Sequence, residues 1–465
     1  MEGGMTQEER SWWRIPAEAV RASTFLQVLG FVYFIAFTSF GVQAAGLIGQ
    51  HGILPYANYL RAVREQLGSS AFWEVPTLFW INSGDAALRA AWMVGALGAL
   101  AAIFTPWRRT ALAVCLVLWL SICNIGQDFL SFQWDVLLVE VGFLAIFADE
   151  SPVRVWLFRW LIFRLMFFSG VVKLGSGGPA WRNLTALDYH YYTQPLPTPL
   201  AWFMAQLPLW FQKASTAAAL AVELAVPFSF FGPRRVRLAG AWLTAGLQVL
   251  ILATGNYTFF NFLTIALCMW LVIEPRRTSE PTPRRHRVVS AALAAFIAMI
   301  SMMLFLMLFR WPLPAGGREA LEAVDPFHLV NSYGLFAVMT TERQEIIVEG
   351  SSDGIDWKAY EFRYKPGNPL RAPPVIEPAQ PRLDWQMWFA ALGSYRQNRW
   401  FANFMIRLLQ GEPAVTGLLQ YNPFPNAAPK FVRARLFVYR FTRFGERGWW
   451  TREERGDYFP VVGLR

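Results

Sequence analysis

The chain is poor in the residues that do covalent and metal chemistry. Only three of its 465 residues are cysteine: Cys115, Cys123 and Cys268. All three lie inside apolar runs, none has CxxC spacing, and the hydrophilic C-terminal third has none. That excludes a disulfide framework and dithiol chemistry. The four histidines, His51, His190, His286 and His328, are scattered, with no HxxxH or HExxH among them. No zinc site can be assembled from them, and no metal or other cofactor is implied. Charge is scarce as well, at 16% of residues, where soluble domains carry roughly 25%.

What is abundant is apolar and aromatic. Hydrophobic residues make up 55% of the chain, with 22 tryptophans and 39 phenylalanines. Rings in such numbers are expected where they settle at membrane–water interfaces, and the chain reads as a polytopic α-helical membrane protein. A span needs about 20 apolar residues. Runs near that length fall at 23–48, 85–104, 110–126, 131–148, 153–174, 214–231, 236–254, 256–273 and 288–310, which predicts about nine spans. The segment 49–84 is less regular. Its LPYANYLRAVREQL has the pattern of an interfacial amphipathic helix, and AFWEVPTLFWI is placed to dip into the bilayer as a re-entrant piece. The polar start MEGGMTQEERSWWR reads as lacking a cleavable leader.

The formal charge of +10 invites a nucleic-acid reading, but its distribution excludes one. Arg10, Arg14, Arg21, Arg108, Arg109, Arg154, Arg234, Arg235, Arg237, Arg276, Arg277, Arg284, Arg285 and Arg287 all fall in loops on one side of a nine-span arrangement. The loops opposite offer only Arg61, Arg64, Arg182 and Lys213. That asymmetry sets the N-terminus in the cytoplasm and everything after about residue 311 outside it. The expected division is a membrane domain over 1–311, with an outer loop at 175–213, and an extracytoplasmic α+β domain over 312–465. In the latter, GLFAVM, EIIVEG, WKAYEFRY and KFVRARLFVYRFT read as strands of a hairpin-containing, sandwich-like sheet. SSDGID is a tight turn, and NPLRAPPVIEPAQPR is an extended stretch. LDWQMWFAALG and RWFANFMIRLLQ read as helices that lie against the membrane or a client through Trp385, Trp388 and Trp400. Packing inside the domain is the alternative for these three rings.

Residues 131–147, SFQWDVLLVEVGFLAIF, place Asp135 and Glu140 in an apolar run. A carboxylate in hydrocarbon costs at least ~2.5–3.5 kcal/mol, so both need partners. By helical rise, Glu140 lies about as deep as Arg159 of the next run, and Asp135 about as deep as Arg164. Glu223, in the sixth run, falls near the depth of Glu140. The expectation is an ion-pair network of Asp135, Glu140, Arg159, Arg164 and Glu223. An outward-opening polar cavity floored by the same charges is the alternative. Beyond the fifth run, Lys173 sits at the outer edge as a snorkelling lysine or a functional base. A crowded loop then follows, with Trp181, Asp188, His190, Tyr191, Tyr192, Gln194 and Pro195. Asn183-Leu184-Thr185 matches a glycosylation sequon, whereas GSGG at 175–178 lacks the GK[ST] ending of a phosphate loop.

Several stretches resemble the lipase maturation factor family: LIGQHGILPYANYL (47–60), DFLSFQWDVLLVEVGFLAIF (128–147), RLMFFSGVVKLGSGGPAWRNLTALDYHYYTQPLPTPLAWF (164–203) and TGNYTFFNFLTIALCMWL (254–271). FHLVNSYGLFAVMTTERQEIIVEGSSDGIDWKAYEFRYKPGNP (327–369) and WFANFMIRLLQG (400–411) continue the resemblance to near the end of the chain. The animal members are endoplasmic-reticulum membrane proteins that help secreted lipases fold and leave the compartment. The resemblance therefore implies a membrane-embedded folding factor whose partners are membrane lipid and a client, a secreted lipase or other hydrolase. The arginine- and alanine-rich composition looks bacterial, which would place the chain in an inner or plasma membrane. The absence of an extracytoplasmic cysteine puts any redox role in doubt.

A weaker similarity, SGVVKL with Trp181 and the earlier GILP loop, covers the first six runs. It looks like the transmembrane domain of vitamin K-dependent γ-glutamyl carboxylase. It implies an alternative membrane enzyme with Lys173 as base, assisted by Asp135 or His190. A transporter is disfavoured, because no pair of Gly/Pro-broken spans recurs in two matching halves. The hairpin 343–364, locally similar to hairpins of discoidin-type β-sandwiches, is a minor candidate for ligand binding.

Overall fold

The structure is a computed structural model that describes residues 20–276 and 283–464. Arg10, Arg14 and Arg277 of the basic loops lie outside them. Helices form at all nine positions expected of spans: α1 Ala22–Gly41, α2 Asp85–Phe104, α3 Arg108–Ile125, α4 Gln133–Ile146, α5 Pro152–Gly175, α6 Leu209–Leu224, α7 Arg234–Thr254, α8 Phe260–Val272 and α9 Arg284–Leu308. Helix α6 runs on as a 3-10 turn, Val226–Phe231. Among the described residues, seven helices are long and apolar enough to cross a membrane. The exceptions are α4 and α8, with 14 and 13 residues. At 1.5 Å per residue they reach only about 20 Å, short of a hydrocarbon core of about 30 Å. The nine expected runs thus divide into seven spanning helices and two short ones.

The short helices are also the most enclosed. Ten of the 14 residues of α4 and ten of the 13 of α8 are buried, as expected of helices apolar on every face. With α5, they form the centre of the bundle. Helices α2, α6, α7 and α9 carry more exposed apolar side chains on the outside, among them Leu97, Trp242, Leu250 and Met302. The chain is therefore a polytopic helical membrane protein in which the run with two carboxylates is shielded by its neighbours.

One end of the bundle gathers the loops 105–107, 149–151 and 274–276. There Arg109 donates to the Ala148 carbonyl, Arg154 pairs with Asp149, Arg237 with Glu274, and Arg276 with Glu150. The other end gathers 42–84, 126–132, 176–208 and 255–259. In 49–84 the helix Tyr56–Leu67 buries only Tyr56 and Leu60, which suits an interfacial helix. The expected re-entrant piece is instead a four-residue helix and a 3-10 turn, with Phe72, Trp73, Leu78 and Ile81 exposed. Its prolines and polar punctuation stop any longer helix.

The C-terminal part folds over this second end. Strands β1 Arg343–Ser351, β2 Lys358–Ala359, β3 Phe431–Phe441 and β4 Trp450–Gly463 make one antiparallel sheet in the order β2-β1-β3-β4. Gly354, at φ 81°, supplies the left-handed residue of the β1–β2 turn. The sandwich-like expectation is corrected to a single sheet. GLFAVM at 334–339 is an irregular loop rather than a strand, with the Gly334 N–H donating to the Gln133 side chain of α4 and the Phe336 carbonyl accepting from Trp181. Strand β4 was invisible to alternation, since TREERGD is exposed along its length. Helices α10 Arg382–Ala391 and α11 Arg399–Leu409 pack between sheet and bundle. One continuous buried core runs from Phe25 and Trp119 to Trp400 and Phe459.

Candidate functional site

The buried charges find partners, but not those that depth matching predicts. Glu140 pairs with Arg164, not Arg159. The other Glu140 oxygen accepts from the Asn331 N–H at 2.9 Å and the Tyr333 hydroxyl at 2.6 Å. Arg164 also donates to the Asn331 carbonyl at 2.8 Å. Residues 328–334, beyond the last span, thus plug into the middle of the charge cluster. Arg159 makes no ion pair among the described residues: it donates to the carbonyls of Trp270 and Ile273 at 3.1 and 2.8 Å, closing the C-terminal end of α8. Glu223 pairs with Lys173.

Asp135 pairs with Arg382, the first residue of α10, through two bonds of 2.8 Å. Both residues are buried. Arg382 also donates to the Phe129 carbonyl at 2.7 Å and lies beside the rings of Phe40, Trp119 and Phe132. A two-pronged guanidinium–carboxylate contact of this kind fixes orientation as well as charge. It locks the start of α10 onto the N-terminal turn of α4.

The crowded outer loop is held in the same way. Its helix Ala186–Thr193 ends in Gln194 and Pro195. Arg343, fully enclosed at the start of β1, donates to the carbonyls of Tyr192, Gln194 and Pro195. Glu345 neutralises Arg343 and, at 2.8 Å, Lys365. Trp388 donates to the Thr193 carbonyl at 2.8 Å, Trp181 to the Phe336 carbonyl at 2.9 Å, and Tyr192 to the Thr341 carbonyl at 3.0 Å. Asp188 lies in the first turn of the loop helix, and Tyr191 is buried. The bonds from Arg343, Trp388, Trp181 and Tyr192 all cross between loop and C-terminal part, so the two form one platform.

At its centre, the Tyr257 hydroxyl donates to Gln194 Oε1 at 2.8 Å and lies 3.2 Å from His190 Nε2. The Tyr257 N–H donates to Glu377. His190 is half-buried as a residue, but its Nδ1 is enclosed without a partner, as is the second oxygen of Glu377. Burial, and then the charge of Lys173, lower the His190 pKa to about 4. Burial pushes the Glu377 carboxyl up to about 8. The Tyr257 hydroxyl thus links a neutral His190 to Gln194, an arrangement that ties the loop helix to residue 257.

Three expectations need correction. Trp385, Trp388 and Trp400 are not a contact surface. They are buried between α10, α11 and the bundle, where Trp385 meets Trp134 at 4.8 Å and Trp400 meets Phe129 at 5.7 Å. The apolar faces of the two helices are spent on this junction. Lys173 is not a free base. It is buried, paired with Glu223, and its ammonium lies 5.1 Å from the centre of the Trp181 ring. Asp135, Glu140 and Glu223 floor no outward-opening cavity: tail residues fill the space above the first two, and Lys173 caps the third. Cys115, Cys123 and Cys268 are buried and unpaired, and no group of three or more metal-ligating side chains occurs among the described residues. The hairpin 343–364 shows its turn held internally, Asp353 accepting from the Ile355 and Asp356 N–H groups.

The decisive partners Arg382, Arg343, Tyr257, Asn331 and Glu377 were not singled out by sequence. The spans already hold three acids and three bases, Asp135, Glu140 and Glu223 against Arg159, Arg164 and Lys173, so charge balance raised no demand for an arginine from the tail.

Comparison with known proteins matches both parts of the chain. Residues 20–277 match the family model described as lipase maturation factor transmembrane domain, and residues 329–460 the one described as lipase maturation factor C-terminal domain. The human protein lipase maturation factor 2 is 36% identical, over 95% of this chain and 82% of its own length. Chicken lipase maturation factor 2 is 36% identical, over 95% of this chain and 81% of its own. Bovine lipase maturation factor 1 is 34% identical, over 95% and 90%. No solved structure matches the chain. Neither the geometry around Lys173 nor any of these relatives supports the carboxylase-like alternative. With both halves matched in order and nearly the full length aligned, the chain belongs to the lipase maturation factor family.

Proposed function

We propose that this protein is a membrane-embedded maturation factor for secreted lipases, acting through the platform built by the outer loop and the C-terminal sheet. The observation that carries the reading is the match of both bundle and C-terminal part to proteins named for lipase maturation. The geometry fits a scaffold better than a catalyst. Its charges are consumed in holding the sheet rigidly over one end of the bundle, and rigid presentation is what a client-binding surface needs.

The N-terminus is cytosolic and the part after residue 311 lies on the opposite face of the membrane. Fourteen basic residues in one set of loops against four in the other support that orientation. The client is a secreted lipase or a related hydrolase. The test is a host deleted for this gene. Secreted lipase should lose specific activity while its synthesis continues, and a photocrosslinker at exposed Arg455 of β4 should capture it. Unchanged lipase activity together with no captured lipase would overturn the assignment.

A further inference from the structure

The β3–β4 connection, residues 442–449, is fastened to the root of a membrane span. Trp202 donates to the Thr442 hydroxyl at 3.0 Å, and Gln206 to the Thr442 carbonyl at 3.0 Å. The Trp202 ring packs edge-on against Phe444 at 5.0 Å and Trp449 at 5.5 Å, and Phe203 lies 6.2 Å from Phe444. Three residues after Gln206, Leu209 opens α6, the start of a segment apolar enough to cross the membrane. The hairpin tip therefore sits level with the membrane surface.

Its exposed side chains are those that a lipid interface selects. Phe444 is 65% exposed and Trp210, in the first turn of α6, is 70% exposed; Leu200, Phe203 and Leu209 are exposed between them. Exposed apolar side chains thus occur both at the start of a span and on the sheet loop fastened beside it. Arg443 and Arg447 flank Phe444, with Arg440 below them and Lys213 one turn into α6, all exposed. The one acid in the tip, Glu446, caps the Arg443 N–H. Aromatic rings beside arginines at the end of a span are the composition of the headgroup layer.

We propose that the β3–β4 hairpin tip is a membrane foot. Phe444, with Phe203 and Trp210, enters the headgroup–acyl boundary of the membrane the protein itself spans, and Arg443 and Arg447 meet the phosphates of anionic lipids. The foot fixes the tilt of the sheet, at the same end of the bundle as the exposed aromatics of 71–81. It does not depend on which client is bound.

The three native cysteines are buried, so a nitroxide can be placed selectively on Glu446→Cys of the full chain in vesicles of phosphatidylcholine and phosphatidylglycerol. Its collisions with oxygen should exceed those with a water-soluble nickel chelate, as for a label on Trp210→Cys. A label on Arg455→Cys should show the reverse. Adding Phe444→Ser should raise nickel access at position 446 severalfold. Arg443→Gln with Arg447→Gln should do the same, only when phosphatidylglycerol is present. A label at 446 as open to nickel as the one at 455, or one shielded only on addition of lipase, overturns the proposal; the second result makes the tip a client surface.

Discussion

Arg382 and Asp135, separated by 247 positions in the chain, are joined by two bonds of 2.8 Å inside the protein. One belongs to the first turn of a short bundle helix and the other opens the helix that carries the sheet. The carboxylate that looks like a liability in an apolar run is the socket for the C-terminal part.

Removing one member of a buried pair leaves an uncompensated charge and costs about 3–5 kcal/mol, whereas replacing both by apolar residues is often neutral. Arg382→Leu and Asp135→Leu should each lower the melting temperature and expose the Pro-rich stretch to protease. The double variant should recover most of the loss. Arg164→Leu should couple to Glu140→Gln in a double-mutant cycle and not to Asp135→Leu. Coupling of Asp135 to Arg164 instead of Arg382 would sink this assignment.

Lys173 and Glu223 separate structure from catalysis. Lys173→Met alone should destabilise the bundle by an amount of the same order, because Glu223 then stays buried without its partner. Lys173→Met with Glu223→Gln should restore both stability and lipase maturation. A catalytic base could not be rescued by neutralising its neighbour, so stable double mutants without activity would reopen the enzyme reading.

Glu377 and His190 give opposite pH dependences. Glu377, raised from 4.5 to about 8, holds a proton when folded that the unfolded chain releases. Its contribution to stability is full below about pH 4.5 and lost as pH rises through about 8. His190, lowered from 6.5 to about 4, contributes stability above about pH 6.5 that is lost as pH falls toward 4. Between about pH 6.5 and 8 the Glu377 contribution changes and that of His190 does not, so Glu377 should make the melting temperature fall with pH there, and Glu377→Gln should remove that part of the slope. The check is a melting series in detergent; an unchanged slope in the variant assigns the effect elsewhere.

Gly46 tests the close approach of the connection after α1 to the C-terminal part. A Cβ there would collide with the Ala414 carbonyl oxygen and reach the Leu418 side chain. Gly46→Ala should cost about 1–3 kcal/mol, as overpacking does, and loosen the C-terminal part. Gly246→Ala, with nothing within 4 Å of the new methyl, should be neutral or slightly stabilising by helix propensity. Limited proteolysis at the 366–381 stretch distinguishes the two.

Much of the fold was legible in the sequence, for local reasons. Apolar run length placed all nine bundle helices, because a chain that buries itself in lipid or in its own core must be apolar over whole turns. Alternation found β3, which is half covered, and a short apolar run marked β1, which is buried along most of its length. Alternation missed β4, whose first half is exposed on both faces, and it misread 334–339, where Gly334 and Phe336 bond to the side chains of Gln133 and Trp181 instead of a neighbouring strand. Depth along a helix matched Glu140 with Arg159 and Asp135 with Arg164, and neither pair forms. It could not predict pairing, because rotation about the helix axis and a third partner decide that. Glu140 and Arg164 meet, and Arg159 turns to carbonyls instead.

By itself the sequence determined that this is a membrane protein with apolar helices in these places, buried charges that need partners, and a hydrophilic C-terminal part. Those follow from hydropathy, which each segment carries in its own residues. Tertiary structure alone decided that α4 is shielded from lipid, that Asp135 is closed by Arg382, that Arg343 grips the outer loop, and that the tryptophans of α10 and α11 face inward. Each of these depends on residues hundreds of positions apart meeting in one desolvated place, and no local pattern encodes that meeting.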